Sequence, residues 1–231
     1  MKSWATIFSD FADLLFPECC QACGAGLVKG EQLVCATCQY ALPQTHLHRD
    51  AEQPLRQRFS PSFPLQFAWG FLYFQKQGRV QRLLHALKYE NQPEIGRLLG
   101  QWYGQILKEE AQPDFDLILP VPLHPRKQRK RGYNQSDSIA AGLSEALQIA
   151  WHPQILHREI YTLSQTQKNK MERWENAKGV FTLRETEPIA RKHILLVDDV
   201  LTTGATLEAS GRALVEAQAR AVSVIALAVA G

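Results

Sequence analysis

The 231 residues carry 26 Lys and Arg against 23 Asp and Glu, a formal charge of +3 at pH 7, and 45% of them are hydrophobic. That length and apolar share suit one α/β domain with a buried core and a small appendage, while the weak charge does not by itself announce a nucleic-acid ligand, which must be argued from local clusters. No apolar run is long enough to cross a bilayer, and Asp10 and Asp13 interrupt the apolar opening stretch in a way that does not suit a secretory signal, so the expected setting is cytoplasmic.

At the start of the chain, Trp4, Ile7, Phe8, Phe11, Leu14 and Leu15 fall at helical spacing. They predict a short amphipathic helix that packs on the protein's own core, since its polar face carries acids rather than the cations a membrane-surface helix needs. All five cysteines follow between positions 19 and 38, and Cys20 with Cys23 and Cys35 with Cys38 make two C-x-x-C knuckles. Two-residue gaps let both thiolates of a knuckle reach one ion, and the stretch holding Gly24, Gly26 and Gly30 can fold the knuckles together. Four sulfurs close a tetrahedral sphere, so the expectation is a structural zinc ion; disulfides are disfavoured in a cytosol, and an iron–sulfur centre is the lesser alternative. Cys19 is surplus and could replace Cys20 in a C-x3-C arrangement. Residues 1–42 thus read as a helix plus a zinc-binding head, and the polar, aperiodic stretch from Pro43 to Pro64 as part of a connector over 43–66, with His46 and His48 as surface histidines.

Residues 67–231 alternate strand and helix. Ala68 to Phe74 reads as a strand; Val80, Leu83, Leu84 and Leu87 make one helical face leading into Lys88 and Tyr89; a second helix spans about Pro93 to Glu110, with Pro93 in its first turn. Asp116 to Val121 has a buried-strand pattern, Gln135 to Gln148 a helical period, His193 to Asp198 a strand, Gly204 to Ala219 a helix and Val222 to Val229 a last strand. Continuous apolar strands separated by helices imply an α/β fold with a doubly wound, mostly parallel sheet covered on both faces.

Three segments carry chemistry. In HILLVDDVLTTGAT, His193 to Thr206, a buried strand ends in Asp198 and Asp199 and runs into a hydroxyl-rich turn before a helix. Carboxylates at the carboxyl edge of such a sheet can accept hydrogen bonds from vicinal sugar hydroxyls, and Thr202, Thr203, Gly204 and Thr206 with the following helix N-terminus suit a phosphate. The bland alternative is a strand and a helix capped by Thr202 or Thr203. The second segment, Val121 to Gln135, VPLHPRKQRKRGYNQ, concentrates Arg126, Lys127, Arg129, Lys130 and Arg131 in a basic loop expected at the same sheet edge. Taken alone it would be a solvated charge run. The third, Arg158 to Phe181, is long and polar, and such a loop inside a compact domain is more often functional than idle.

HILLVDDVLTTGAT resembles the motif with which type I phosphoribosyltransferases bind 5-phosphoribosyl 1-pyrophosphate (PRPP). Together with the two knuckles, LKY at Leu87 to Tyr89, VPLHPRKQRKRGYNQ and the spaced Thr162, Gln165, Arg173, Asn176 and Phe181, nearly the whole chain resembles the ComF/GntX family. These are bacterial proteins with a zinc-ribbon-like head on a phosphoribosyltransferase domain, linked to competence, the uptake of transforming DNA, and in other members named for gluconate utilisation. The resemblance implies that Asp198 and Asp199 hold the ribose hydroxyls, that Val200, Leu201, Thr202, Thr203, Gly204, Ala205 and Thr206 form the 5-phosphate loop, and that Arg126, Arg129, Lys130 and Arg131 face the pyrophosphate with Mg²⁺. Lys88 and Arg173 are implied as further cations of the catalytic site, and the third segment as a lid that excludes water. Departures are Tyr133 where Phe is common, the extra Cys19 and the C-terminal AVAG. No acceptor pocket is legible. The alternative is an accessory protein of DNA uptake without turnover that senses PRPP or binds single-stranded DNA, with the basic loop, Tyr161, Arg173 and Trp174 as support; single-stranded DNA and a DNA-uptake helicase are the candidate partners.

Overall fold

The computed structural model describes residues 18–158, 180–183 and 189–230. The expected amino-terminal helix, and Tyr161, Thr162, Gln165, Arg173, Trp174 and Asn176 of the long segment, lie outside the described residues.

In chain order the elements are α1 (Ala36–Tyr40), β1 (Leu65–Tyr73), α2 (Arg79–Tyr89), α3 (Pro93–Glu110), β2 (Leu117–Pro120), α4 (Pro125–Arg131), α5 (Gln135–Leu147), β3 (Leu156–Arg158), β4 (Phe181–Leu183), β5 (His193–Leu201), α6 (Ala205–Glu216) and β6 (Ala221–Val229). The main sheet has the order β1-β6-β5-β2, and each neighbouring pair is parallel. Its strands are apolar without interruption because both faces are covered. Leu195, Val197 and Ile225 join the buried side chains of α2, α3 and α5 on one side. Their alternates Ile194, Leu196 and Val224 pack with Leu207 and Leu214 of α6 on the other. The α/β, doubly wound parallel architecture expected from the strand pattern is the one observed.

α3 and α5 run side by side with their backbones nearly touching. Gly96, Gly100 and Gly104, one turn apart on α3, face Ser138, Ile139 and Ala146. A Cβ at Gly100 would lie 2.4 Å from the Ile139 carbonyl oxygen, and one at Gly142 only 2.0 Å from that of Arg97. Only glycine leaves room for backbone on backbone at this distance. Gly142→Ala is therefore expected to destabilise the protein by about 2 kcal/mol through overpacking, read as a lower midpoint in urea with the slope unchanged.

Three expectations need correction. The basic loop is largely helical: α4 starts with Pro125, is capped by His124, whose Nδ1 accepts from the Arg126 N–H at 3.1 Å, and stops at Gly132 with φ 90°. Proline first, a run of Arg, Lys and Gln, and glycine last is a helix signature that the charge of the run obscured. Second, β5 does not stop at the acids but continues to Leu201, so Asp198 and Asp199 sit within paired strand. Third, His48 is not a surface histidine. Its side chain is 3% exposed, and its Nε2 lies 2.6 Å from Glu110 Oε2 at the end of α3.

The stretch before β1 packs closely on the body of the fold. Leu55, Phe59 and Phe63 are buried against the α6 side of the sheet, and Arg58 Nη1 donates to the carbonyls of Leu201, Thr202 and Ala230 at 3.2, 2.7 and 2.6 Å. β3 and β4 pair antiparallel as a separate ribbon, with Arg158 opposite Phe181 at the two ends of the long third segment.

Candidate functional site

Parallel pairing brings the carboxyl end of β2 beside that of β5, with Pro120 opposite Val197, so α4 and the start of α5 follow β2 directly to the acid pair. Asp199 is 6% exposed, and the Lys88 Nζ at the end of α2 lies 2.9 Å from its Oδ2. The two charges pair, but off the direction of a hydrogen bond, and Oδ2 has no hydrogen-bond partner among the described residues. Asp198 Oδ1 accepts from the Asp199 N–H at 2.9 Å and from Ser136 Oγ at 3.2 Å. Burial first, and the adjacent Asp199 carboxylate second, push the Asp198 carboxyl up to about 7, against the opposing pull of Lys88 and its hydrogen bonds. Two adjacent carboxylates, one buried and one half-buried, favour a ligand that brings donors or positive charge.

Cations converge on the same place. Burial lowers the affinity of Lys127 for its proton, and so does the proximity of Arg158, Arg131 and Lys88. Burial also lowers the pKa of Arg158, whereas the charge of Asp198 raises it. Lys127 and Arg131, one turn apart on α4, thus share a neighbourhood with Lys88 and Arg158. Arg131 Nη1 also donates to Gln135 Oε1, and its guanidinium lies 5.6 Å from the centroid of the Tyr89 ring. Arg126, Arg129 and Lys130 are exposed on α4, and Arg126 and Arg129 lower the pKa of His124 after burial has done so. Tyr133, the residue that departs from the family pattern, donates its hydroxyl to the Leu87 carbonyl and so ties the end of α2 to the turn before α5.

The hydroxyl-rich turn is an open cradle rather than a capped helix start. The N-cap of α6 is Gly204, with φ 79°, which has no side chain to offer. Thr203 Oγ1 reaches the Ala205 N–H only at 3.5 Å. Thr202, Thr203 and Ala205 are exposed and Thr206 is half-buried, while Val200 packs against the core and Leu201 is buried within it. Beneath the turn, a Cβ on Gly204 would meet the Arg58 carbonyl and the Phe59 ring at 3.2 Å. The first-turn N–H groups of this twelve-residue helix, at the positive end of its dipole, form a place for an anion.

At the other end of α2 sits the cysteine head. The Sγ atoms of Cys20, Cys23, Cys35 and Cys38 all lie within 4.8 Å of one another, Cys23 and Cys35 at 3.9 Å, so the four can hold a metal ion. Cys19 is exposed and outside the cluster, which decides between the adjacent pair in favour of Cys20. Burial works against ionising Cys20, but backbone N–H groups, that of Cys35 at 3.3 Å among them, outweigh it and bring the thiol down to about 6; burial and the neighbouring sulfurs push Cys38 up to about 12. Arg79, the first residue of α2, hydrogen-bonds Cys38 and opposes that rise. Ala22, Val34 and Leu42 of the head join the core that α2 lines.

Residues 129–230 match the phosphoribosyl transferase domain model. Over 227 residues the chain is 28% identical to the DNA utilization protein YhgH of Escherichia coli strain K12, covering 91% of this chain and 96% of that protein. It is 32% identical over 130 residues to competence protein F of Haemophilus influenzae, covering 54% of this chain and 57% of that one. The chain is thus similar to proteins of DNA utilization and competence. Among solved structures, the allosteric regulatory enzyme of purine biosynthesis matches with a TM-score of 0.42 and 21% identity, over 61% of this chain and 29% of that enzyme.

Of the site residues named from sequence, the structure gathers Asp198, Asp199, Lys88 and Arg131 at one sheet edge, holds Thr202 to Thr206 at the same end of β5, and leaves Arg173 outside the described residues. Three residues of this candidate site were missed. Ser136 donates to Asp198, Arg158 feels the charge of Asp198, and Arg58 holds the turn from below. Ser136 follows directly on the basic segment and Arg158 opens the long polar one, so proximity to both was a usable signal. Arg58 gave none.

Proposed function

We propose that this protein binds Mg-PRPP at the carboxyl edge of its sheet and transfers the ribosyl 5-phosphate to an acceptor nucleophile. The observation that carries this reading is the acid pair, Asp199 buried and Asp198 half-buried, with an Asp199 oxygen that is ion-paired to Lys88 but accepts no hydrogen bond among the described residues, shortly upstream of a helix start with no side-chain cap. Asp198 and Asp199 accept the ribose 2- and 3-hydroxyls. The hydroxyls and N–H groups of Thr202 to Thr206 take the 5-phosphate. Arg126, Arg129, Lys130 and Arg131, joined by Lys127 and Arg158, face the pyrophosphate. Lys88 is poised between the acids and that group. Mg²⁺ supplies charge neutralisation on the phosphate oxygens when bound. In the transfer, the C1–O bond breaks with its electron pair leaving on pyrophosphate, the acceptor's lone pair bonds C1, and the acceptor's proton is lost. Charge develops at C1 as in glycoside cleavage, and water is the competing nucleophile. Purified protein with Mg-PRPP and a panel of nucleobases is expected to release pyrophosphate; tight PRPP binding without release would instead make it a sensor.

The relatives' names, DNA utilization and competence, suggest the setting, and free thiols suit a reducing cytoplasm. For the head, the donor set of four thiolates favours zinc in a closed, structural site. A second reading, single-stranded DNA binding, is favoured by Tyr89, which is 69% exposed with Arg131 over its ring beside the cations of α4. It predicts single-strand affinity that falls steeply with salt, and a slope shallower by about 1 for each cation removed in Arg129→Ala and Lys130→Ala. An unchanged slope in both variants removes that reading.

A further inference from the structure

We propose that Ser136 is a positioning residue for the sugar: its hydroxyl turns the Asp198 carboxylate so that Oδ2 is presented to a ribose hydroxyl. The assignment rests on the ribose-phosphate reading of the site and adds to it a residue that does not itself touch the ligand.

Asp198 and Asp199 are successive residues of β5, so their side chains leave the strand on opposite faces and no single neighbour can align both. Asp199 has the Lys88 ammonium of α2 at 2.9 Å. Asp198 is held by hydrogen bonds instead, from the Asp199 N–H at 2.9 Å and the Ser136 hydroxyl at 3.2 Å, and both fall on Oδ1. One donor would let the carboxylate swing about its bond. Two donors from different elements fix one oxygen and thereby the direction of the other, and no described residue donates to Oδ2.

The hydroxyl is itself fixed from behind. Ser136, the second residue of α5, is fully buried, and its N–H donates to Asn134 Oδ1 at 3.3 Å. Asn134 is buried too, and its Nδ2 donates to the Val121 carbonyl at 3.1 Å and to Asp137 Oδ1 at 2.6 Å. Val121 directly follows β2 and its N–H donates to the Val197 carbonyl at 2.8 Å, so the paired strands β2 and β5 hold donor and acceptor in one frame. Other helix serines bond back to their own helix, Ser138 to the Gln135 carbonyl at 2.8 Å and Ser210 to that of Thr206 at 2.9 Å. Ser136 instead gives its proton to a residue 62 positions away.

The groups facing the Asp198 carboxyl are few. Asp199 on β5 and burial favour its protonated form, while Lys88 of α2, Arg158 of β3, the Asp199 N–H and Ser136 favour the carboxylate. Removing the Ser136 hydroxyl takes away a neutral donor, so the loss falls on the ionised form.

The test is the affinity of Mg-PRPP for the native full chain and for Ser136→Ala, measured by calorimetry and expressed as a ratio at each pH, so that titration of the ligand's own phosphates cancels. The native chain is expected to bind about tenfold more tightly at about pH 7, and that ratio to fall about fivefold by about pH 9, where the carboxyl ionises without the hydroxyl's help. A merely structural loss would weaken binding by the same factor throughout. Equal affinities at about pH 7, or a ratio constant with pH, overturn the assignment and leave the PRPP reading standing. Failure of the native chain to bind Mg-PRPP sinks that reading, and this assignment with it. Ser136→Ala keeps the backbone bond to Asn134; if it nonetheless fails to fold, Ser136→Cys, of similar shape and a weak donor, takes its place with the same expected decline.

Discussion

Replacing Asp198 and Asp199 together by Asn is expected to lower Mg-PRPP-dependent pyrophosphate release by at least about 10³-fold, because the ribose loses both charged acceptors and the metal loses nearby negative charge. The single Asp198→Asn variant separates function from fold. Burial and Asp199 raise this carboxyl to about 7 in the folded protein, whereas an unfolded Asp titrates near about 4. Between those values the folded state holds a proton that the unfolded state has released, so stability falls as pH rises through that window and levels off above it. Asn carries no such penalty. The variant is therefore expected to melt higher than the native chain at pH 8, with the difference closing below about pH 4. Ligand affinity runs the other way in the native protein. Sugar hydroxyls bind the ionised carboxylate, so Mg-PRPP affinity rises from pH 6 to pH 8, and the rise disappears in Asp198→Asn. Calorimetric melting and binding isotherms across that range check both; undiminished release in the double variant would sink the assignment of the acids.

The second large effect is in the head. One zinc ion per chain is expected by elemental analysis, and a strong chelator is expected to unfold residues 18–42, since structural zinc contributes about 10 kcal/mol or more to small thiolate domains at neutral pH. A Zn–S bond of about 2.3 Å puts tetrahedral sulfurs about 3.8 Å apart, against 3.9 Å for Cys23 and Cys35. Cys38→Ser should reproduce the chelator's effect and Cys19→Ser should not. Hydrogen exchange reads this directly: protection lost in the head first, then along α2, whose first residue bonds Cys38 and whose tenth is Lys88. A folded, metal-free head would refute the zinc site.

Sequence was a good guide where one force dominated. Pro93 to Glu110 has a proline start and an unbroken 3.6-residue period, and α3 occupies those residues. The apolar runs of β5 and β6 betrayed a sheet covered on both faces, and knuckle spacing found the cysteine cluster. Reading failed where two signals overlapped. Charge in Val121 to Gln135 masked the helix punctuation of Pro125 and Gly132. The polarity of the stretch before β1 hid contacts that depend on distant partners, such as Arg58 with Leu201 or His48 with Glu110. The glycine groove between α3 and α5 was invisible too, because residues 96, 100 and 104 lie inside a helix whose partner is about 40 positions away in the chain.

Arg58 has a consequence for how the phosphate turn behaves as a receptor. Its guanidinium occupies three carbonyl oxygens that would otherwise repel an anion, two of them on Leu201 and Thr202 at the entrance to the turn. The turn therefore presents one sign of partial charge outward and is braced in shape before anything arrives. Little order has to be imposed on binding, so phosphate capture at this turn should be enthalpy-led and show a small entropic penalty, the thermodynamic mark of a receptor assembled in advance.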